Sequence, residues 1–508
     1  MKNILRFALN LVTLATLLLG NLKMEQLMKK LFLSLFFVAF FAPALQAQTS
    51  IAQNSEVAGT IKLLEAWIES QMTYRGQPGI SVGVVYDQKL IWARGFGYAD
   101  TEKKIAATPA TIYRMASVTK TFTATAIMQL RDAGKLSLDD PVVKHLPWFK
   151  IKSSFADAPV ITIRHLLTHT SGLPREASFP YWTDANFPTI EQIKETLPNQ
   201  EAAFAPETMW KYSNLALGLA GQIVAAASGE PYDIYIRKHI LEPLGMSSST
   251  VLFPSETRNR LAVAYGRRMP DGKRSLQPDM DTKGIAPAAN LSSTVEDLAR
   301  YLAFHLSDGK VGEKLLLKNS TLREMQRVHW LQPDWKSGWG IGFAIARIGD
   351  RTTVGHGGAL GGYRTQISFS PEEKIGVIVL TNSDDGNPDF YVKQIFTLLA
   401  PAIKKAVTPP SVVAQADPAW STYVGTYRDA WGDSEILVLN GQLVLIDPTA
   451  DDPKESLVKL IPAGKHKFKI VAETFNYGEI GEFIVFELGT DGKAARMKLG
   501  ENYTPRLK

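Results

Sequence analysis

The chain has 508 residues, 45% of them apolar and 21% charged, proportions that suit a globular protein with room for more than one core and exclude a disordered one. It contains no cysteine, which removes disulfides, thiolate nucleophiles, cysteine-held metals and a cysteine-linked lipid anchor together. Of the net charge of +6, residues 1–47 hold +4 (Lys2, Arg6, Lys23, Lys29 and Lys30 against Glu25), so the remainder is nearly neutral and lacks the basic cluster that nucleic acid requires.

Met28-Lys29-Lys30, the apolar run Leu31 to Ala42, Pro43 and the small residues up to Ala47 form the three zones of a secretory signal, which predicts cleavage after Ala47 and an exported, periplasmic or extracellular, mature chain. An earlier apolar run, Phe7 to Leu19, is interrupted by Asn10, Thr13 and Thr16, and Met28 is an alternative start. Both runs fall short of the ~20 apolar residues that a spanning helix needs, so no membrane span is expected after cleavage.

Beyond the signal, Ile80 to Tyr86 and Leu90 to Ala93 are β-rich runs around Asp87-Gln88-Lys89 and predict an antiparallel hairpin. A helix is expected from Ser117 to Ala133, stopped by Gly134, with Val118, Phe122, Ile127 and Leu130 on its one buried face. From Leu138 to Leu306 helical patterns dominate, Ala216 to Ala227 being the most apolar. Thr365 to Ser370 and Ile375 to Thr381 predict a second hairpin across Pro371-Glu372-Glu373. Strands at both ends of a helical middle imply an α/β fold: one antiparallel sheet built from distant parts of the chain, flanked by helices, with a large helical insertion.

Residues 401–418, rich in Pro and Ala, read as a linker that separates a domain at 55–400 from one at 419–508. The last segment is patterned as strands throughout, including Ile436 to Leu439 and Leu443 to Ile446 around Asn440-Gly441, with Phe468 to Val471 and Phe483 to Leu488 following. Such a run predicts a small all-β barrel.

Ser-x-x-Lys occurs three times, at Ser117–Lys120, Ser307–Lys310 and Ser456–Lys459. The second falls on a turn and the third on a predicted strand, whereas the first opens an amphipathic helix, where residues three apart share a face. A helix N-terminus presents free N–H groups and partial positive charge, which suits the oxyanion of acyl transfer and disfavours a protonated lysine. To act as a base near neutrality such an amine must lose about 3 pKa units, roughly 4 kcal/mol, a cost tolerated mainly where the free amine is used.

Ser117-x-x-Lys120, Tyr212-Ser213-Asn214 and His356-Gly357-Gly358 occur in the order and approximate spacing of the three active-site motifs of serine β-lactamases and penicillin-binding proteins. Leu166-Leu167-Thr168-His169-Thr170-Ser171-Gly172-Leu173 and Pro243-Leu244-Gly245-Met246 are similar to stretches of the class C β-lactamase-like branch, which includes esterases and peptidases. The resemblance extends over roughly residues 55–400. It implies Ser117 as nucleophile, Lys120 as base and Tyr212 as proton shuttle, with Asn214 directed at the substrate or at Lys120. It also implies that the N–H groups of Ser117 and Ala359 form the oxyanion hole, beside His356, Gly357 and Gly358 on an edge strand.

The third motif departs from the usual Lys-Thr-Gly. Neutral histidine and glycine supply neither the ammonium nor the hydroxyl that holds a β-lactam carboxylate, so a small ester, peptide or amide is the expected substrate. A β-lactamase, a DD-peptidase and a catalytically silent penicillin- or peptide-binding protein are the alternatives. Arg364 is either a carboxylate ligand or a structural arginine. His165 and His169, four apart without an acidic partner pattern, read as structural, and no metal or cofactor is expected. Tyr181, Trp182, Trp335 and Trp339 are candidates for a cleft mouth. Tyr423-Val424-Gly425-Thr426-Tyr427 is similar to the start of the lipocalin-like domains that follow some exported hydrolases; its domain either limits access to the cleft or braces the protein.

Overall fold

The computed structural model describes residues 51–252, 258–408, 416–450, 456–472 and 479–507. The expected signal, 1–47, lies outside the described residues. The chain divides into two compact units, one ending at Val407 and the other running from Thr408.

Helix α1 (Ser55–Arg75) starts where the Asn54 side chain accepts the N–H groups of Glu56 and Val57, and stops at Gly76, whose φ of 60° suits a residue without a Cβ. The chain then enters β1 (Gly79–Tyr86) and β2 (Lys89–Asp100), joined by Asp87 and Gln88 at φ 42° and 69°, the left-handed pair that a tight two-residue hairpin turn requires. Strand β3 (Ile105–Ala106) completes this edge. Helices α2 (Thr119–Asp132), α3 (Ile163–Thr168), α4 (Asn214–Ser228), α5 (Ala286–Ala289) and α6 (Val295–His305) make up much of the middle of the unit. Six more strands follow: β4 (Trp330–Leu331), β5 (Ser337–Trp339), β6 (Ala344–Ile348), β7 (Arg351–Leu360), β8 (Tyr363–Ser370) and β9 (Ile375–Thr381), before helix α7 (Pro388–Val407).

The strands form one antiparallel sheet in the order β3-β2-β1-β9-β8-β7-β6-β5-β4. Its closing pair is β1 with β9, in register from Ile80 opposite Thr381 to Tyr86 opposite Ile375, so the two ends of the unit meet at the centre of the sheet as the strand pattern implied. Alternation along β9 divides the core. Ile375, Val377 and Val379 face α1 and α7, while Ile378 and Leu380 belong to the opposite core, which includes α2, α4 and α6.

Two expectations need correction. The α-helix begins at Thr119, after a 3-10 turn over Ala116–Val118, and every residue from Thr119 to Met128 is buried, so α2 is a central helix and not one with a single buried face. Its polar residues mislead because they are threonines whose hydroxyls find acceptors: Thr121 bonds the Val118 carbonyl at 2.8 Å and Thr123 the Pro287 carbonyl at 2.6 Å. The second correction concerns the linker, since α7 carries the first seven residues of 401–418. Pro401 lies exposed inside that helix while Leu399, Ala400, Ala402 and Ile403 are buried, and this packing offsets the lost hydrogen bond.

The second unit is an eight-stranded antiparallel sheet in simple chain order: β10 (Gly425–Arg428), β11 (Asp433–Leu439), β12 (Gln442–Ile446), β13 (Val458–Gly464), β14 (Lys467–Val471), β15 (Phe483–Leu488), β16 (Ala494–Leu499) and β17 (Asn502–Pro505). Asn440 and Gly441 turn the β11–β12 hairpin at φ 50° and 74°. A bridge between Tyr427 and Arg506, with the Leu507 N–H on the Thr426 carbonyl at 2.8 Å, brings the last strand to the first and all but closes the barrel. Tyr427, Leu443, Phe468, Ile470 and Phe486 fill its core.

Candidate active site

Three separate stretches converge on one open cleft of about 880 Å³ in the first unit: the turn before α2, the residues entering α4, and β7. Ala116 takes φ 47°, a left-handed value that costs an alanine about 1–2 kcal/mol. The strain is held in place from both sides. Met115 donates its N–H to the Leu291 carbonyl at 2.7 Å and accepts Thr365 Oγ1 at 3.1 Å, and the Leu291 N–H bonds Thr119 Oγ1 at 3.0 Å. Ser117 is thereby presented, half-buried, at the floor of the cleft.

Lys120, one turn further on, is completely buried. Its Nζ lies 2.9 Å from Ser117 Oγ, 2.8 Å from Asn214 Oδ1 and 2.9 Å from the Ala288 carbonyl. Burial pushes this amine well below the usual lysine range; the Glu176 carboxylate opposes the fall and the Arg175 guanidinium adds to it. A neutral amine has two N–H groups and one lone pair. The Ala288 carbonyl can only accept. Asn214 is fixed the same way, because its Nδ2 faces Glu176 Oε1 at 2.8 Å and its oxygen is the atom left for Lys120. With both N–H groups taken, the lone pair is directed at the one partner able to donate, the Ser117 hydroxyl.

Tyr212 precedes the N-cap of α4, Ser213, whose hydroxyl accepts the Ala216 N–H at 2.9 Å. Its ring is 4.8 Å from Lys120 Nζ and 5.1 Å from the Arg175 guanidinium. Burial raises its phenol above the usual tyrosine range, and hydrogen bonding with Ser117 restrains the rise, so the resting group is a phenol. His169 backs it: the imidazole lies 4.4 Å from the Tyr212 ring and its Nδ1 accepts the Ser213 N–H at 3.1 Å. His165 instead belongs to the capping box of α3 with Thr162 and bonds Glu207 at 3.0 Å.

On the far wall, β6 pairs with β7 only as far as Gly355, so from His356 onward the strand borders the cleft. Gly358 is where β7 passes the nucleophile turn, and a Cβ there would lie 2.1 Å from the Met115 carbonyl oxygen. Gly357 and Ala359 alternate with it and are exposed. His356 is buried, its Nδ1 donating to the Gly357 carbonyl at 2.6 Å, and burial with the nearby Lys120 pushes it down to about 3. It is therefore uncharged at any ordinary pH.

The sequence-predicted residues Ser117, Lys120, Tyr212, Asn214, His356, Gly357, Gly358 and Ala359 thus meet in one place. Of the candidate aromatics, Trp182 and Trp339 line the cleft; Tyr181 is buried behind it, and Trp335 is 80% exposed. Arg364 is turned to Asp384 at 3.1 Å and to the Leu360 and Tyr363 carbonyls, which makes it structural. Sequence reasoning missed Arg175, Glu176, Trp210 and Gln366, all of them lining residues. The first two directly follow Pro174, after the Leu166 to Leu173 stretch, and a charged pair abutting that stretch was the available signal.

The Beta-lactamase family model matches residues 64–402. Beta-lactamase-like protein 2 of Dictyostelium discoideum is 28% identical over 417 residues, covering 77% of this chain and 75% of that protein. Protein flp of Staphylococcus aureus (strain MW2) is 28% identical over 63% of this chain, which spans 62% of that relative's length. Among solved structures, the octameric penicillin-binding protein homologue from Pyrococcus abyssi superposes with a TM-score of 0.59 at 29% identity, covering 87% of this chain and 99% of its own. EstCE1, a hydrolase with promiscuous acyltransferase activity, gives a TM-score of 0.58 over 68% of this chain and 98% of its own; at 23% identity it speaks to the fold alone.

Proposed function

The chain belongs to the β-lactamase family of serine hydrolases, and on that premise we propose that it is an exported enzyme cleaving an ester or amide bond through an acyl-enzyme on Ser117. The observation that carries this reading is the buried Lys120 amine, 2.9 Å from Ser117 Oγ and donating to two groups that can only accept.

Ser117 Oγ attacks the carbonyl carbon while its proton passes to the Lys120 lone pair. The oxyanion collects between the N–H groups of Ser117 and Ala359, and backbone donors in that role are worth about 3–4 kcal/mol. Collapse breaks the C–O or C–N bond, and Tyr212 relays the proton to the departing oxygen or nitrogen. Water, giving its proton back along the same path, then releases the acid and restores the Ser117 hydroxyl.

The wall opposite Ser117 favours an ester or peptide over a β-lactam. A carboxylate laid against β7 meets uncharged His356 and two glycines, and Arg364 on the neighbouring strand is engaged by Asp384.

The test is a panel on the mature chain from Gln48: a p-nitrophenyl ester, a D-amino-acid anilide and a chromogenic cephalosporin. Ser117→Ala is expected to lower turnover of the preferred substrate by about 10⁴-fold or more. Turnover that survives this substitution rules out the nucleophile, and stoichiometric labelling without turnover favours the silent binding protein. Fractionation with N-terminal sequencing tests export, the expected first residue being Gln48.

A further inference from the structure

Behind Lys120 the hydrogen bonds continue to a charge on the cleft wall. Asn214 stands between the amine and the Glu176 carboxylate, accepting from Lys120 at 2.8 Å and donating to Glu176 at 2.8 Å. Glu176 is itself anchored by the Tyr181 hydroxyl and by Arg175 Nε at 3.1 Å. Were the Asn214 amide rotated by half a turn, its oxygen would face the carboxylate, a repulsive contact, and its NH₂ would compete with Ser117 for the amine's lone pair. A carboxylate at position 176 therefore selects the one amide orientation that takes an N–H from Lys120 and leaves its lone pair for Ser117.

Glu176 and Arg175 also act on the amine in opposite senses: the carboxylate favours the ammonium form and the guanidinium disfavours it. The other titratable groups around Lys120 are His169, His356 and Tyr212, all held uncharged by burial.

We infer that Glu176, held in place by Arg175, is a positioning residue for the catalytic amine, aiming Lys120 at Ser117 through Asn214. The inference rests on the proposed function only in taking Lys120 to be the base.

The experiment follows the Lys120 amine directly, by NMR titration of protein carrying ¹³C-labelled lysine, with Lys120→Met identifying the signal, and in parallel measures the acid limb of kcat/KM on a p-nitrophenyl ester. Glu176→Gln keeps an oxygen for Asn214 and removes the charge, so both midpoints should fall by roughly half a unit to one unit. Arg175→Met should raise them by a similar amount. Glu176→Asp, which keeps the charge, should leave them near wild type and serves if the glutamine variant folds poorly. Midpoints that do not move, or that move the same way in the glutamine and methionine variants, overturn the inference. An absence of Ser117-dependent turnover would instead count against the proposed function, while the NMR midpoints still decide the role of Glu176.

Discussion

The two units bury polar groups on different terms. In the barrel, the core hydroxyls are bonded within the fold: Tyr427 donates to the Tyr423 carbonyl at 2.7 Å, and the Tyr423 hydroxyl meets His466 Nδ1 at 2.8 Å. The first unit buries a lysine completely, keeps three histidines uncharged, and leaves Trp210 Nε1, Trp339 Nε1 and His356 Nε2 without a protein partner around its cleft. Among the described residues, every buried side-chain polar atom lacking a protein partner lies in this unit. A fold selected for stability alone resembles the barrel; one that also holds a reactive constellation accepts desolvated groups whose compensation comes from the large core around them.

The contrast can be broken most directly at Lys120. Lys120→Met should reduce turnover by about 10³-fold, the loss expected of a general base. The same change abolishes the burial cost of the amine, several kcal/mol, against three lost hydrogen bonds of about 1 kcal/mol each, so the first unit should unfold in urea at an equal or higher midpoint. A lower midpoint would mean that the lysine is structural. The barrel supplies the reciprocal case: Phe486→Ala, in a well-packed core, should cost about 3–5 kcal/mol in that unit's unfolding and leave hydrolysis of a small ester within about twofold.

The smallest effect is expected at His305, which lies among the rings of Tyr301, Phe304, Phe343 and Phe369 with neither nitrogen bonded. Burial pushes its imidazole down to about 3. Below the ordinary histidine value the unfolded chain takes up a proton that the folded chain refuses, so stability is complete above about pH 7 and declines as the pH falls toward 3. By pH 5 this one group should cost about 2 kcal/mol, and His305→Leu should remove that slope from denaturation curves at pH 7 and 5. An unchanged slope would place the acid sensitivity in another group.

How much was legible follows the reach of each signal. Ser117 and Lys120 could be singled out because residues three apart on a helix share a face, and each predicted hairpin came from alternation with turn residues between. The expected linker starts too early where a composition signal meets a tertiary fact, since Pro401 looks like a break and is carried inside α7 by the burial of its neighbours, while the two units divide after Val407, within the expected range. The face of α2 failed because threonine looks polar in sequence and apolar once its hydroxyl is bonded. Glu176 went unread because its meaning lies in Asn214, 38 positions away.

The sequence by itself determined the hydroxyl-and-amine pair and the division into a mixed unit and a β unit, because those depend on periodicity and turn chemistry within a few residues; the other two stretches of the cleft, Tyr212 to Asn214 and His356 to Gly358, were legible only through the resemblance to the β-lactamase family. Only the tertiary structure decided that Lys120 is dry, that Asn214 and Ala288 take its N–H groups, and that a carboxylate stands behind them. Desolvation and hydrogen-bond direction are set by neighbours that come from remote parts of the chain, and a one-dimensional pattern holds no measure of their distance.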